Sequence, residues 1–574
     1  MWRGWYEMSN GSRVSRRSFI AGATATAGVF AVSSLAQASE STKKGLPESS
    51  AGVTADDKWA FEIAPDKIAE KDIVKTKSAD VVVVGCGMSG LVTAASAAEN
   101  GLSVIIVTAS EGPVSRGGSN NAIYSKTMES LGLKKVDQDW YRTQYMINNG
   151  NFKPGFWYKH YNHSEEAMNW LIDIATAAGI KTTVESGAEY SEDDIMYTPA
   201  GAHAFYVDDE ELNGTVGTGE AHIAAELARH VVEDLGQEID YQTRAVRLVR
   251  GLDDASGKVT AVIAQTTAGD YVKYEGAKGI VMATGDFTHN RDMMARYAPE
   301  VMELCDFSKE VDYDAGLMTN GIYDGEGQQM ELWIGAAWQK TPNVIMLGRP
   351  NLPADNPYTS HTGLMVDKNG QRFMNEDVLG GVACATIMHL PGDTCYCIWS
   401  ANRAAAGGPW GKPNYAHGER FADAAEMQAT WDEDTYGYGI VREETLDELI
   451  NKLGLPAATM DTVARYNEMC NAGEDVDYYK DASKLIPIEG GPFYGCSYKP
   501  MLLTVLGGTR TNVDLQVLDA KDEPIDGLFN VGTMIGDFYS GVYTFAMEGM
   551  NYGSTCITLP YLLGKDLAAG KFDK

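Results

Sequence analysis

The stretch from Asp80 to Val107, "DVVVVGCGMSGLVTAASAAENGLSVIIV", constrains the fold more than any other part of the sequence. Four consecutive valines predict a strand buried on both faces, as in a parallel sheet. The small and apolar residues that follow predict a helix, and "SVIIV" predicts a second strand. The stretch therefore indicates an α/β domain that begins strand, turn, helix, strand.

Three glycines, Gly85, Gly87 and Gly90, form a GxGxxG pattern between the first strand and the helix. Such glycines allow a tight turn and let a pyrophosphate approach the N–H groups at the helix N-terminus. The pattern predicts dinucleotide binding; the alternative is a glycine-rich turn in an ordinary α/β domain. Thr108 stands where a ribose-binding carboxylate is expected, and Glu111 follows three residues later, so we expect these two to contact the ribose.

Charge and cysteine content narrow the possible partners. The 574 residues include 47 basic and 79 acidic side chains, a formal net charge of -32, which argues against nucleic acid and anionic lipid as partners. The eight cysteines form neither CxxCH nor CxxC, so we expect no covalent haem and no metal site. Cys395 and Cys397 are predicted to be buried strand residues that point the same way.

The N-terminal segment "SRRSFIAGATATAGVFAVSSLAQA" contains the arginine pair Arg16 and Arg17, a modestly apolar run and small residues before Ala38. It resembles a twin-arginine export signal cleaved after Ala38, which predicts a periplasmic or outer-envelope location. The alternative is a membrane anchor, but the run from Phe19 to Leu35 is short and rich in small residues. No other stretch is apolar over a membrane-spanning length, so we expect none in the mature chain.

Changes in composition and in the strand, turn and helix patterns along the chain predict five segments. These are a signal peptide (1–38), a polar linker (39–78), the first part of the dinucleotide domain (79–290), an inserted domain (291–490) and the second part of the dinucleotide domain (491–574).

Six motifs in order, "VVVVGCGMSG", "SRGGSNNA", "KGIVMATGDF", "VDKNGQRFMNE", "LGGTRTN" and "GLFNVGTMIGDF", resemble the fumarate reductase/succinate dehydrogenase flavoprotein family. That family also includes 3-ketosteroid dehydrogenases and urocanate reductase. The resemblance covers about residues 79–574. It implies non-covalent FAD, a Rossmann-like FAD domain split in sequence, and an inserted α+β capping domain.

The resemblance also implies which residues contact FAD. Thr533 stands at a position where other members of the family have a glutamate. The full set is Gly85, Gly87, Met88, Ser89, Gly90, Thr108, Glu111, Gly117, Gly118, Ser119, Asn120, Ala245, Ala283, Thr284, Gly285, Gly508, Gly532, Thr533, Asp537, Ser554 and Thr555.

The sequence departs from the fumarate reductases where the reaction takes place. Those enzymes carry an arginine proton donor four residues after the Asn-Glu pair, where this chain has Gly380. They hold the substrate carboxylate with a histidine and an arginine of the last loop, whereas this chain has no arginine after Arg510 and no histidine after His417. The loop "DFYSGVYTF" offers Tyr539 and Tyr543 instead, so fumarate is not the expected substrate.

The family's reaction is transfer of a hydride between flavin and an alkene carbon, with proton transfer at the neighbouring carbon. A tyrosine can act as the acid or donate to a carbonyl oxygen. We therefore predict Tyr539, Tyr543 and, more remotely, His361 as catalytic groups, and a flat neutral or aromatic alkene as substrate. The predicted substrate contacts are Tyr124, Tyr358, Phe538, Tyr539 and Tyr543. Tyrosines that simply pack in the core are the alternative.

Electrons must come from outside, because the sequence contains no haem motif and no second nucleotide fold; a cytochrome or a quinol-linked membrane protein is the expected donor. Three other functions stay open. They are a ketosteroid-type dehydrogenase working in the opposite direction, a reductase of an unsaturated acid that uses Arg349 or Arg372, and a catalytically silent FAD-binding protein.

Overall fold

The computed structural model describes residues 58–135, 137, 153–184, 200–207, 219–251, 254–308, 310–314, 323–348, 363–406, 422–435, 437–541, 543–545 and 547–573. The chain divides into two compact units, Met1–Ala60 and Phe61–Lys574. Of the first unit only residues 58–60 are described, so the predicted signal peptide and most of the predicted linker lie outside the described residues. Among the residues that are described, no helix is both long and apolar enough to cross a bilayer.

A mixed sheet forms the centre of the second unit. Its strand order is β16-β17-β9-β1-β2-β6, with β7 and β8 added through pairing of β8 with β9. Strands β6, β2, β1, β9 and β17 run parallel to one another. The strands are β1 (Ile73–Val84), β2 (Val104–Val107), β3 (Asn120–Asn121), β4 (Lys181–Val184), β5 (Ala202–Tyr206), β6 (Glu238–Asp240), β7 (Thr243–Arg250), β8 (Val259–Thr266), β9 (Tyr271–Met282), β10 (Val344–Gly348), β11 (Leu364–Val366), β12 (Cys395–Ser400), β13 (Val441–Glu443), β14 (Phe493–Tyr498), β15 (Met501–Leu506), β16 (Gln516–Leu518) and β17 (Pro524–Asn530).

Helices cover this sheet, and small residues let them pack closely. Gly564, in the helix Leu559–Ala568, lies against the helix Met88–Glu99. A Cβ added to Gly564 would come within 2.6 Å of the Ala97 nitrogen. The α-helices are α1 (Met88–Glu99), α2 (Lys126–Ser130), α3 (Pro154–Ala177), α4 (Gly219–Arg229), α5 (Arg291–Tyr297), α6 (Glu326–Trp333), α7 (Gly380–Ile387), α8 (Asn402–Ala405), α9 (Ala424–Asp432), α10 (Leu446–Lys452), α11 (Thr459–Ala472) and α12 (Leu559–Ala568). The remaining helical elements among the described residues are short 3₁₀ turns (Ala60–Glu62, Glu70–Asp72, Pro299–Leu304, Ala482–Lys484, Gly532–Met534) and two π-helices (His230–Asp234, Tyr552–Thr558).

The parallel strands end together, and this places the predicted cofactor residues side by side. The four consecutive valines of β1, Val81 to Val84, are buried, as the sequence predicts. Beyond the strand ends the hydrogen bonds continue: Gly85 N donates to Val107 O, and Ala283 N donates to Val84 O. Val531 N in turn donates to Met282 O. The segments after β1, β2, β9 and β17 therefore share the carboxyl edge of the sheet, where α/β folds bind ligands.

Antiparallel strands build the remaining sheets. Four of them pair in the order β11-β12-β14-β13, β10 pairs with β15, and β3, β5 and β4 form a third group. Cys395 and Cys397 lie on β12 and are fully buried, in agreement with the sequence prediction. The predicted fold class, a Rossmann-like α/β domain with an α+β capping domain, is confirmed.

Candidate active site

The GxGxxG turn has the geometry that a dinucleotide needs. Gly85 has φ +112°, and a Cβ there would come within 2.3 Å of Ala283 O. A Cβ on Gly90 would come within 2.2 Å of Gly85 O, so neither position accepts a larger residue. Gly87 caps α1, so the helix N-terminus, with Met88 and Ser89 in its first turn, points its N–H groups toward this edge.

The predicted ribose and adenine contacts gather after β2. Thr108 is buried, and its Oγ1 lies 2.8 Å from Ser110 Oγ. Thr243 N donates to Thr108 O, which brings the start of β7, and with it Ala245, to the same place. Glu111 is exposed and accepts a hydrogen bond from Gln242 Nε2 at 3.0 Å, so its carboxylate lies next to this group.

The loop that carries Gly117, Gly118, Ser119 and Asn120 lies against the C-terminal part of the chain. A Cβ on Gly549 would come within 2.7 Å of the Ser119 carbonyl carbon. Tyr552 begins the π-helix Tyr552–Thr558, and its hydroxyl lies 2.7 Å from Ser115 Oγ. The π-helix also contains the predicted contacts Ser554 and Thr555; such helices occur often at functional sites.

The remaining predicted FAD contacts follow β9, β15 and β17. A Cβ on Gly327 would meet Thr284 Oγ1 at 2.0 Å, so α6 packs directly on this segment, and Gln328 Nε2 donates to Gly285 O. Gly507 N donates to Thr533 O, which joins the segment containing Gly508 to the one containing Gly532.

Three buried polar atoms in these segments have no hydrogen-bond partner among the described residues. They are Asn120 Oδ1, Gln328 Oε1 and Ser554 Oγ. Buried polar groups are normally satisfied, so orphaned atoms on three separate elements at one sheet edge indicate that a polar ligand satisfies them. Together with the two glycine turns, these atoms fit the pyrophosphate, ribityl chain and ring edge of FAD.

Two tyrosines of the aromatic loop are buried and pack against each other. Tyr539 is 6% exposed and Tyr543 is 5% exposed, and their rings meet edge to face at 5.5 Å. Tyr543 Oη accepts a hydrogen bond from Asn551 N at 3.0 Å. Burial raises the pKa of both hydroxyls, so both stay protonated at neutral pH.

The other predicted residues of this region take different places. Phe538 stacks on Phe156 at 5.0 Å, which makes it part of the core. Asp537 Oδ1 accepts a hydrogen bond from Lys340 N at 2.9 Å and so braces the loop. Tyr124 is half-buried between β3 and α2. Tyr358 and His361 lie outside the described residues.

Basic side chains near the "RFMNE" motif are engaged by other groups. Arg372 Nη2 lies 2.7 Å from both Glu376 Oε2 and Asp475 Oδ2. Arg403 lies 5.5 Å from the ring centroids of both Trp399 and Trp431. Arg372 therefore stabilises the capping domain, and Arg349 lies outside the described residues.

The structure adds residues that sequence reasoning missed. Tyr552 contacts the Gly117 loop, and Arg116 pairs with Asp286 across two predicted FAD segments. Arg116 and Asp286 lie inside the motifs "SRGGSNNA" and "KGIVMATGDF". Their positions in those motifs are the sequence signal that could have identified them. Within the described ranges no group of three or more His, Cys, Asp or Glu side chains has the arrangement of a metal site.

Comparisons with known proteins agree with this geometry. The family model described as "FAD binding domain" matches residues 80–548. A vinyl phenol reductase from Lactiplantibacillus plantarum is 23% identical over 523 residues, covering 86% of this chain and 96% of that protein. A urocanate reductase from Eggerthella lenta is 26% identical over 513 residues, covering 85% and 74%.

The fold also matches a crystal structure of 3-ketosteroid-delta4-(5alpha)-dehydrogenase from Rhodococcus jostii RHA1. The TM-score is 0.64 at 20% identity, and the match covers 88% of this chain and 100% of the other. The chain therefore belongs to the FAD binding domain family, in its fumarate reductase/succinate dehydrogenase branch, and FAD is its cofactor.

Proposed function

We propose that this flavoprotein is an oxidoreductase that reduces the C=C bond of a conjugated, neutral or phenolic alkene. The observation that carries the proposal is the edge-to-face contact of Tyr539 and Tyr543, two buried tyrosines in an aromatic loop that follows the predicted FAD contacts Gly532 and Thr533. The vinyl phenol and urocanate reductases among its relatives support the reaction class.

One of the two tyrosines supplies the proton that alkene reduction consumes. When bound and reduced, FAD supplies a hydride to one alkene carbon. Tyr543 Oη accepts a hydrogen bond from Asn551 N, and this contact fixes the orientation of the hydroxyl group. A protonated tyrosine can then deliver that proton to the other alkene carbon, or donate to the substrate oxygen while charge develops there.

The uncharged side chains of the proposed site favour an uncharged substrate. Tyr539 and Tyr543 present phenol rings, and Arg372 is held by two carboxylates of its own domain. An alkene with a carboxylate would therefore lose its hydration without gaining a strong ion pair from these groups, whereas a phenol or an enone loses far less.

Anaerobic turnover with reduced viologen as donor tests the proposal. The substrates would be vinyl phenols, stilbene-type phenols and enones, set against fumarate, urocanate and cinnamate. We expect viologen oxidation with the neutral and phenolic alkenes, and a fall of about 100-fold or more in kcat for Tyr543→Phe, the usual scale of general-acid catalysis.

Tyr561→Phe is the matched control, because Tyr561 is buried in the same core and its hydroxyl contacts Glu166 at 3.0 Å. Rapid reduction of fumarate, or full activity of both Tyr543→Phe and Tyr539→Phe, would contradict the proposal. Reduction of the flavin by a saturated steroid ketone would instead favour the dehydrogenase alternative. FAD binding without turnover of any alkene would favour a silent protein.

We further propose export through the twin-arginine route and electron supply by an external cytochrome or a quinol-linked membrane protein. The support is the Arg16–Arg17 segment and the absence of haem motifs in the sequence. Replacing both arginines with lysine should leave the protein, with its signal segment, in the cytoplasm. Correct export of that variant would contradict the route.

A further inference from the structure

A buried charge pair lies where three predicted FAD segments meet. Asp286 Oδ2 is 3.2 Å from Arg116 Nη1 and accepts a hydrogen bond from Thr504 Oγ1 at 2.5 Å. Its Oδ1 accepts from Thr288 N at 3.2 Å and from Thr288 Oγ1 at 2.9 Å. The Asp286 side chain is fully buried and that of Arg116 is 15% exposed.

The position of each partner brings the pair next to the segments that are predicted to contact FAD. Arg116 directly precedes Gly117 and Gly118, and Asp286 directly follows Gly285. The Tyr323 ring links the two loops, because its centroid lies 5.0 Å from Arg116 Cζ and a Cβ on Gly285 would come within 2.6 Å of the same ring.

We propose that Arg116 and Asp286 are a charge pair that holds FAD between the loop of Gly117 and the loop of Gly285. We propose that the same pair sets the reduction potential of the bound FAD. Reduction adds negative charge to the flavin, which a nearby cation stabilises and a nearby carboxylate opposes. Burial weakens the screening by salt, so the balance between the two charges decides the relative affinity for oxidised and reduced FAD.

The two halves of the pair have opposite effects on the potential. Arg116→Met keeps most of the apolar stem but leaves the carboxylate, so the potential should fall. Asp286→Asn keeps the shape and the acceptor oxygen but leaves the guanidinium, so the potential should rise. The double variant removes both charges and should return close to the wild type.

The measurement is a spectroelectrochemical titration of the purified FAD-loaded protein with no alkene present, together with the dissociation constant of FAD. We expect a change of about tenfold in the relative affinity for the two redox states in each single variant, which corresponds to about 30 mV for a two-electron couple. Because no alkene is used, the outcome does not depend on the substrate proposal.

Arg247 and Asp254 provide matched control variants, since this pair is 2.8 Å apart and 8% and 15% exposed. Arg247→Met and Asp254→Asn should leave the potential unchanged. Shifts of the same sign in Arg116→Met and Asp286→Asn, or shifts no larger than in the controls, would overturn the proposal. If Arg116→Met does not retain FAD, Arg116→Lys decides: it keeps the charge, so a large shift there would also overturn it.

Discussion

Gly117 and Tyr552 pack so closely that a Cβ on Gly117 would come within 1.9 Å of the Tyr552 ring. The same ring carries the hydroxyl that lies 2.7 Å from Ser115 Oγ. The π-helix at the end of the chain therefore fixes the loop that the resemblance assigns to the flavin, and it does so through one aromatic side chain.

Gly117→Ala should weaken FAD binding by at least tenfold, because the new methyl group displaces either the loop or the Tyr552 ring. Fluorescence titration of the apoprotein with FAD measures this. Gly112→Ala is the control, since nothing lies within 4 Å of a Cβ at Gly112. The double variant Gly117→Ala/Tyr552→Ser should recover part of the affinity; recovery of none would show that the ring is not the obstacle.

Gly381→Ala should disturb the aromatic loop while FAD stays bound. A Cβ at Gly381 would come within 1.9 Å of Tyr543 O, a backbone atom that cannot rotate away. The clash should outweigh the gain from replacing glycine by alanine, which is about 1 kcal/mol in a helix interior and less in the first turn, where Gly381 lies. Alkene turnover should fall with FAD content unchanged, whereas Val382→Ala, at an exposed position of the same helix, should have no effect. Full activity of Gly381→Ala would place the reaction elsewhere.

His160 should make the protein less stable in acid. It is fully buried between Asn121 Oδ1 at 3.1 Å and Thr558 Oγ1 at 3.3 Å, and burial lowers its pKa to about 3. Between pH 6.5 and 3 the unfolded state binds the proton that the folded state excludes, so the free energy of unfolding falls as pH falls, by up to about 1.4 kcal/mol per pH unit. Denaturant unfolding at several pH values should show a smaller slope for His160→Gln.

His163→Gln supplies the control for that measurement, because His163 is on the same helix and its side chain is 44% exposed. Its unfolding free energy should follow the wild type across the whole pH range. An unchanged slope in His160→Gln would mean that another group, such as the buried His203, carries the acid sensitivity.

Glu331 should have the opposite dependence. It is fully buried, and burial raises its pKa to about 8 against the hydrogen bonds from Thr509 and Asn530. Between pH 4.5 and 8 the folded state retains a proton that the unfolded state releases, so stability falls as pH rises. Glu331→Gln removes this loss and should raise the unfolding free energy at pH 8 relative to pH 5. Glu474→Gln, at an exposed site, should do neither.

Local sequence patterns predicted much of this fold because the conformation of these elements depends mainly on residues that are neighbours in sequence. The valines of β1 and the three glycines are neighbours in sequence, and the turn they form needs few distant partners. The burial of Cys395 and Cys397 followed in the same way from the strand pattern of "CYC".

The pairings that complete the site could not be predicted in this way. Arg116 meets Asp286 across 170 residues, and Ser115 meets Tyr552 across 437. Each pairing depends on how the strand ends align at one edge of the sheet, which no single segment encodes. The edge-to-face contact between the Tyr539 and Tyr543 rings could not be predicted either, since spacing in a loop does not define ring orientation.

The pairing of β17 with β9 also sets the order of events during synthesis. The ribosome makes β1 and its glycine turn well before β17, Gly532 and the π-helix. A nascent chain that stops before Pro524 therefore lacks one wall of the predicted cofactor site. FAD that contacts both walls can bind only after β17 has been made.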